Sequence, residues 1–563
     1  VMDTKATGRY EVRLLDDLQK VFCREELSAT PRKSNVFKVL QGQRLNFQIA
    51  VKAPSHTFVK FDVDSLFRDC VTLRQVGMVF CDHPCDPLDQ FRISAEPGFY
   101  PDPLLPIFPG GLLSMPCNRE WLSIWVSVDI PRECPSGKHP LRIAISTAKR
   151  ETNLKWLPEI PPECIDVILD IIPAELPKQT LWSCSWFHTD CLQKWYHCGF
   201  EDERFWGILR DYLKDMAGHG INVLFTPLWS IPLDTAIGWE RPTCQLIGIT
   251  EAEGRYAFDF SLLDRWIETA RECGIERFEM VHAFTQWGAA ATPKIIVNGE
   301  RRFGWDVPSD SEEYRIFLDQ LLPALTDYLR SKELQGKCIF HNSDEPNGEA
   351  VAAYKKCLAL LEKHLNPEEF PVFDALSDAR YVKEGISRRP IPQTDYFDSF
   401  KELDLDARWC YYCCNWAKDV PNRFFGMPSS RNRVLGVLLY ACGAEGFLHW
   451  GHNFWFSQFS LDQELNPWHS TTAGYGFFGG DSFHVYPGND GRPVDSIHYE
   501  VFSEAMQDYR ACQLLEALAG RDAVMEILQE GLERPLKMTD YPHEAEWLSQ
   551  VTGRILDSID KRL

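Results

Sequence analysis

Near residue 180 the apolar residues of this chain change their period, and that change sets what it can fold into. Before it, short runs alternate apolar and polar side chains: "RLNFQIAVKA", "EWLSIWVSVDIP" and "HPLRIAIST", the last two joined by the turn-like "RECPSGK". A period of two places alternate side chains on opposite faces of a strand. Several such runs, punctuated by Pro and Gly, predict an antiparallel β-sandwich over residues 1–175. After it, strand-like runs alternate with helical stripes. The stripe starting near Asp202 carries Phe205, Ile208, Leu209, Tyr212, Leu213 and Met216, and it stops at Gly218 and Gly220. Eight strand candidates follow in order: "TLWSCSW", "INVLFTPL", "ERFEMVHAF", "KCIFHNS", "FPVFDAL", "TDYFDSF", "RWCYYCC" and "EGFLHWG". Most are separated by helices, as parallel strands require. The expected fold is therefore α/β and multidomain: a sandwich, a (β/α)8 barrel over 176–500, and a helical segment, 501–563, packed on the barrel.

A chain of 563 residues exceeds one ordinary domain and can bury large cores without disulfides or metals. Its formal charge of -22 argues against nucleic acid and anionic membrane surfaces as partners. No apolar run is long enough to span a bilayer, and the start has no apolar leader. The 19 cysteines are odd in number and scattered through apolar runs, which predicts reduced thiols and a cytoplasmic protein. "CDHPC" and the set Cys184, His188, Cys191, His197, Cys198 lack paired C-x-x-C spacing, so no metal or other cofactor is expected. Aromatic residues reach 13%, with 18 Trp, which suits a sugar-binding cleft as well as a large core. A homo-oligomer is left open.

The most informative stretch is "CIFHNSDEPNGEA", Cys338 to Ala350, where an apolar strand runs into Asp344 and Glu345. Read alone, "DEP" fits an acidic helix start, because acids and Pro favour the first turn. In a barrel, however, the C-terminal ends of the strands carry the active site. Candidate partners fall at the other strand ends: His188 and Asp190; Thr226 and Trp229; His282, Thr285, Gln286 and Trp287; Tyr411 and Tyr412; His449, Trp450, His452, Asn453 and Trp455. Such a mixture of hydrogen-bonding and aromatic side chains suits a hydroxyl-rich ligand. Pro346 is expected to hold Glu345 extended.

Two adjacent acids do not match the usual glycosidase pair, whose carboxyls flank the scissile bond at about 5–5.5 Å or about 6.5–9.5 Å. They suit a substrate that supplies its own nucleophile, a 2-acetamido oxygen. The first acid, ionised, holds the acetamido N–H. The second donates a proton to the leaving oxygen, and its neighbour's charge helps it keep that proton. The alternatives are a two-carboxylate glycosidase using Asp190, Asp374 or Asp378 as nucleophile, a non-hydrolytic carbohydrate-binding protein, and a metal-dependent barrel hydrolase.

Taken together, "LWSCSWFHTD", "HGINVLFTPLWSIPLDT", "FTQWGA", "FGWD", "HNSDEP", "RWCYYCCN" and "GFLHWGHNFW" resemble glycoside hydrolase family 123, the β-N-acetylgalactosaminidases, in the same order along the chain. The resemblance implies a retaining exo-glycosidase acting through an oxazoline on terminal β-linked N-acetylgalactosamine, without a metal. It implies that Asp344 stabilises the acetamido group and Glu345 is the general acid/base. It also implies that Tyr411 orients the acetamide, with His188, Asp190, Gln286, Trp287, Trp450, Asn453 and Trp455 as substrate-binding candidates.

Overall fold

The computed structural model describes residues 11–25, 27, 34–52, 57–107, 112–114, 120–150, 156–346, 348, 350–414 and 419–563. Two five-stranded sheets form the N-terminal part. One has the order Glu11–Leu15, Arg44–Lys52, Trp121–Asp129, Val71–Cys81, Gly98–Pro106. The other has the order Val36–Gln41, Trp156–Glu175, Gly137–Arg150, Thr57–Ser65, Leu112–Ser114. All pairs are antiparallel except Val36–Gln41 with Trp156–Glu175. Between the sheets lies a core that includes Phe47, Ile49, Val51, Ile124, Val126, Ile143 and Leu169.

Strand Arg44–Lys52 shows what the alternation meant. Phe47, Ile49 and Val51 enter the sandwich core. Asn46 and Gln48 point the other way and are just as buried. Asn46 donates to Glu504 at 2.9 Å and to Glu500 at 3.2 Å, both on the helix Ile497–Ala519. Arg74 reaches Glu500 and Asp495 from the strand Val71–Cys81, one strand further along the same sheet. The polar face of the sheet is thus a domain interface. Its burial is tolerable because most of its polar groups find partners.

The second part is built on short parallel strands, here β1 (Trp182–Ser185), β2 (Val223–Thr226), β3 (Arg277–Met280), β4 (Cys338–Ile339), β5 (Asp374–Ala375), β6 (Pro390–Ile391), β7 (Trp409–Tyr411) and β8 (Gly446–His449). Six of them form one curled sheet in the order β4-β3-β2-β1-β8-β7. β5 and β6 form a separate parallel pair, joined to the sheet by single bridges, Phe340 to Val372 and Gln393 to Tyr411. The expected ladder of eight is therefore continuous over six. The reason is local: beyond β4, the backbone N–H of Asn342 donates to the carboxylate of Asp374 at 2.9 Å, where a backbone carbonyl would have continued the ladder.

Two further expectations are corrected. The sixth strand is Pro390–Ile391 rather than "TDYFDSF", because Tyr396 and Ser399 donate back to Gln393 and Tyr396 and curl that stretch into turns and a 3-10 helix, Phe397–Phe400. The boundary placed at residue 500 falls inside the helix Ile497–Ala519, which Ser496 caps through Tyr499 N–H. Among the described residues no helix is long and apolar enough to cross a membrane.

Candidate active site

β4 ends in a segment pinned by its neighbours. Ala283 and Phe284, past β3, donate to the carbonyls of His341 and Asn342, both at 3.0 Å, and Trp287 donates to the carbonyl of Asp344 at 2.8 Å. Ser343 donates to Thr285 O at 2.8 Å, and Asn342 to Tyr354 O at 3.1 Å. The helix beyond begins at Val351, so neither acid lies in its first turn, and the helix-start reading of "DEP" fails. Glu345 is not extended as Pro346 suggested. Its φ is +39°, the left-handed region that side chains other than Gly rarely adopt. The surrounding hydrogen bonds hold this strained turn, as is common at functional sites.

Asp344 and Glu345 are both partly buried. Tyr411 donates its phenol to Glu345 Oε1, and Gln393 approaches the same oxygen at 3.4 Å. Burial, and then the charge of Glu345, hold the Tyr411 phenol well above its usual range. Burial also lifts the Asp344 carboxyl well above the usual carboxylate range, with the charges of Glu345 and Asp234 adding to it. Part of that lift is the charge of Glu345 itself, so a proton held on Glu345 favours the ionised form of Asp344. Below the pair, His341 lies 2.6 Å from Glu279 and 3.5 Å from Asp374. Burial opposes its charge, but Asp374 and Glu279 outweigh this and lift its pKa to about 10. A positive imidazole therefore sits under Asp344 and favours its ionised form.

Two further carboxyls face this pair. Burial pushes Asp234, in the loop after β2, and Asp481, in the long loop after β8, up to about 7 each, and the charge of Glu345 contributes to both. Acids on the mouths of three separate strands thus share one electrostatic neighbourhood. Placed beside aromatic side chains, such a set can hold a polyhydroxylated ligand and move a proton on it. The family model for the glycoside hydrolase 123 catalytic domain matches residues 186–515.

The chain belongs to glycoside hydrolase family 123.

It is a glycoside hydrolase. Over its whole length it is similar in fold to a family 123 glycoside hydrolase from Clostridium perfringens, studied for glycolipid glycan hydrolysis, with 98% of each chain covered, a TM-score of 0.72 and 16% identity. A PapD-like domain of human CEP192 covers 30% of this chain and 87% of its own at a TM-score of 0.15 and 12% identity, which carries no argument. Curated proteins gave no match.

In this family 123 hydrolase the expected binding residues divide into two groups. Tyr411, Trp287 and Trp450 stay with the acids. Tyr411 binds Glu345, Trp287 is 40% exposed beside Asp344, and Trp450 packs on Phe477 at 4.5 Å beside Asp481. The other five are engaged inside the protein. Asp190 grips Arg241 with both oxygens, at 2.7 and 2.8 Å. His188 accepts from Arg241 at 3.0 Å and donates to Trp450 O at 2.8 Å, which fixes a neutral tautomer, and burial holds its pKa well below the usual range. Asn453 clasps the backbone of His188 at 2.8 and 3.1 Å. Trp455 donates to Val485 O at 3.1 Å, and Gln286 spends both ends of its amide on the backbone of Asp234 and Thr235. The strand-end argument named these residues as ligand contacts and gave no sign that their side chains bond within the protein.

Of the rival nucleophiles, Asp190 is committed to Arg241, Asp374 to Tyr354 at 2.6 Å and Asn342 at 2.9 Å, and Asp378 to its neighbour Arg380 at 2.7 Å. Sequence reasoning missed Asp234, Gln393, Asp481 and Arg241. Asp234 lay within a family-like motif, "WSIPLDT", while Asp481 is over thirty residues beyond β8 and carries no local signal. His282, His341 and Asp374 bring ligand-type atoms within 4.8 Å of one another, as do Asp215, His219 and Asp495, but in the first group His341 is already engaged with Glu279 at 2.6 Å and Asp374 with Tyr354 and Asn342.

Proposed function

We propose that this chain is a retaining exo-glycosidase that releases terminal β-linked N-acetylgalactosamine from glycans or glycolipids by substrate-assisted catalysis. The observation that carries the reading is the adjacency of Asp344 and Glu345 on a strained turn at the end of β4, with Glu345 tied to Tyr411. The 2-acetamido oxygen attacks the anomeric carbon as the bond to the leaving oxygen breaks. Ionised Asp344, with His341 beneath it, accepts the acetamido N–H and offsets the positive charge of the oxazolinium. Glu345 gives its proton to the leaving oxygen. It then takes one from the water that opens the oxazoline, so the product keeps its β configuration. Glycolipid substrates are part of the proposal because the similar Clostridium perfringens enzyme hydrolyses glycolipid glycans.

A second reading, a covalent two-carboxylate mechanism, is favoured by one observation: Asp234 is a further carboxyl beside the pair. Aryl β-glycosides of N-acetylgalactosamine, N-acetylglucosamine, galactose and glucose decide between them. Substrate assistance predicts turnover of the acetamido sugars, near inertness of the others, and strong inhibition by a thiazoline mimic of the intermediate. Comparable rates on galactosides, or a trapped glycosyl ester on Asp234, would establish the second reading instead.

A further inference from the structure

We propose that Asp234 is a sugar-recognition residue, whose carboxylate accepts a hydrogen bond from a ring hydroxyl of the sugar being released. The inference rests on the glycosidase reading above and adds a specificity determinant to it.

The argument begins with how much of the protein is arranged around this one residue. Asp234 has φ +51°, a left-handed backbone that a non-Gly residue rarely takes. Three successive residues are held there by two side chains. Gln286 Oε1 accepts from Asp234 N–H at 2.7 Å, Gln286 Nε2 donates to Thr235 O at 2.6 Å, and Arg241 donates to Leu233 O at 3.1 Å. Both clamps are almost fully buried, and Arg241 is itself fixed by Asp190. Gln286 and Arg241 are therefore positioning residues. What they position is a carboxyl group.

Among the described residues that carboxyl accepts no hydrogen bond, and the positive charge it meets within the protein is that of Arg241, whose guanidinium is already held by both oxygens of Asp190. Its Oδ2 is buried without a hydrogen-bond partner. It lies close enough to Asp344 for its charge to raise that acid's pKa, and close enough to Glu345 to be raised in turn. A buried carboxylate oxygen with no donor is costly and calls for a partner from outside. A sugar placed on Asp344 and Glu345 brings hydroxyl donors to this spot. A carboxylate is a strong acceptor for them, because an ionised acceptor strengthens the bond. A site built to pair a hydroxyl also rejects the sugar that lacks it.

The test compares wild type and Asp234→Asn on an aryl β-N-acetylgalactosaminide and its 3-, 4- and 6-deoxy analogues, reading kcat/KM. The variant is nearly isosteric and keeps the backbone N–H that Gln286 holds. On the parent sugar it should lose roughly 10- to 100-fold, the range of a hydrogen bond to a charged group. One deoxy analogue should lose a similar factor with wild type and nothing further with the variant, which marks the two groups as coupled. Gln286→Met, which frees the backbone without touching the carboxylate, should lose part of the same discrimination and serves if Asp234→Asn does not fold. An Asp234→Asn deficit equal on all four substrates would mean that Asp234 acts only through its charge on the pair, and would overturn the proposal. So would activity near that of wild type. If wild type ignores β-N-acetylgalactosaminides altogether, the glycosidase reading has failed, and the same cycle on whichever glycoside is cleaved still decides the role of Asp234.

Discussion

The phenol of Tyr411 donates to the carboxylate of Glu345, joining the two edges of the six-stranded sheet, β7 and β4. Those strands are the farthest apart in hydrogen-bonding order. The sheet curls, with β5 and β6 bridging the gap between its edges, far enough for the Tyr411 phenol to reach Glu345, and the bond that results fixes the proposed general acid before any substrate arrives.

Tyr411→Phe separates two roles. If Tyr411 holds Glu345, the variant should lose more on a glycan-like substrate, whose alcohol needs protonation, than on an aryl glycoside with an acidic phenol. If it orients the acetamide, both substrates should lose the same factor. We expect the first pattern, with a loss of roughly 10-fold on the poor leaving group, the value of one hydrogen bond to a charged group. Steady-state kcat/KM on both substrates checks it.

The two acids should part company in the same assay. Glu345→Gln removes the proton donor and should cost roughly 10²- to 10⁴-fold on a natural linkage, but much less on an activated aryl glycoside. Asp344→Asn removes a charge needed whatever departs, so its loss should be similar on both. Equal losses for Glu345→Gln would refute the assignment.

Chelators should leave activity unchanged. His341 and Asp374 already hold partners within the protein, and the proposed mechanism routes no step through an ion. Loss of activity in EDTA, restored by zinc or calcium, would count against this.

His341 predicts a pH dependence of stability. Its folded pKa is raised to about 10, against about 6.5 for a free imidazole. Its contribution is fully present below pH about 6.5 and is lost as pH rises through about 10. His219, raised by Asp215 against the cost of burial, works in the same direction. Unfolding free energy, and with it the Tm, should therefore fall between pH 6.5 and 9, by at most about 1.4 kcal/mol per pH unit for each such proton. His341→Asn should lower the Tm at pH 6.5 and flatten the slope. Calorimetry across this range is the check.

Glu500→Gln probes the domain interface. Glu500 is fully buried and faces Arg74, Arg44 and Asn46 on the sandwich. Burial opposes its charge, but the two arginines outweigh this and hold its pKa well below the usual range. Removing one partner of a buried ionic network costs roughly 3–5 kcal/mol. The Tm should drop accordingly, while kcat/KM per folded molecule stays near wild type, because the partners of Glu500 (Arg44, Arg74, Asn46 and His219) make no bond to Asp344 or Glu345.

Much of this protein was legible as pattern. Period-two runs announced the N-terminal antiparallel sheets, whose last strand is Trp156–Glu175. The stripe from Phe205 to Met216 is buried along the helix Glu203–Gly218, and the long helix begins at its Ser311 cap. Asp344 and Glu345 stood out because an apolar strand ends in two charges, which is a local fact. What the sequence could not disclose was the direction in which polar groups spend their hydrogen bonds. The alternation put Asn46 and Gln48 on one face of their strand but did not say that both are buried, Asn46 against the helix Ile497–Ala519 and Gln48 against Asp16, Gln19 and Ser123. Gln286, Asp190, His188 and Asn453 read as ligand contacts, yet they brace loops from other strands. Asp234 and Asp481 gave no periodic signal, since their place beside Glu345 depends on loops that close only when the sheet curls. Periodicity reports which face of an element is apolar. The partner of a polar group in a loop is set by contacts from about fifty to several hundred residues away, and only the tertiary structure decides those.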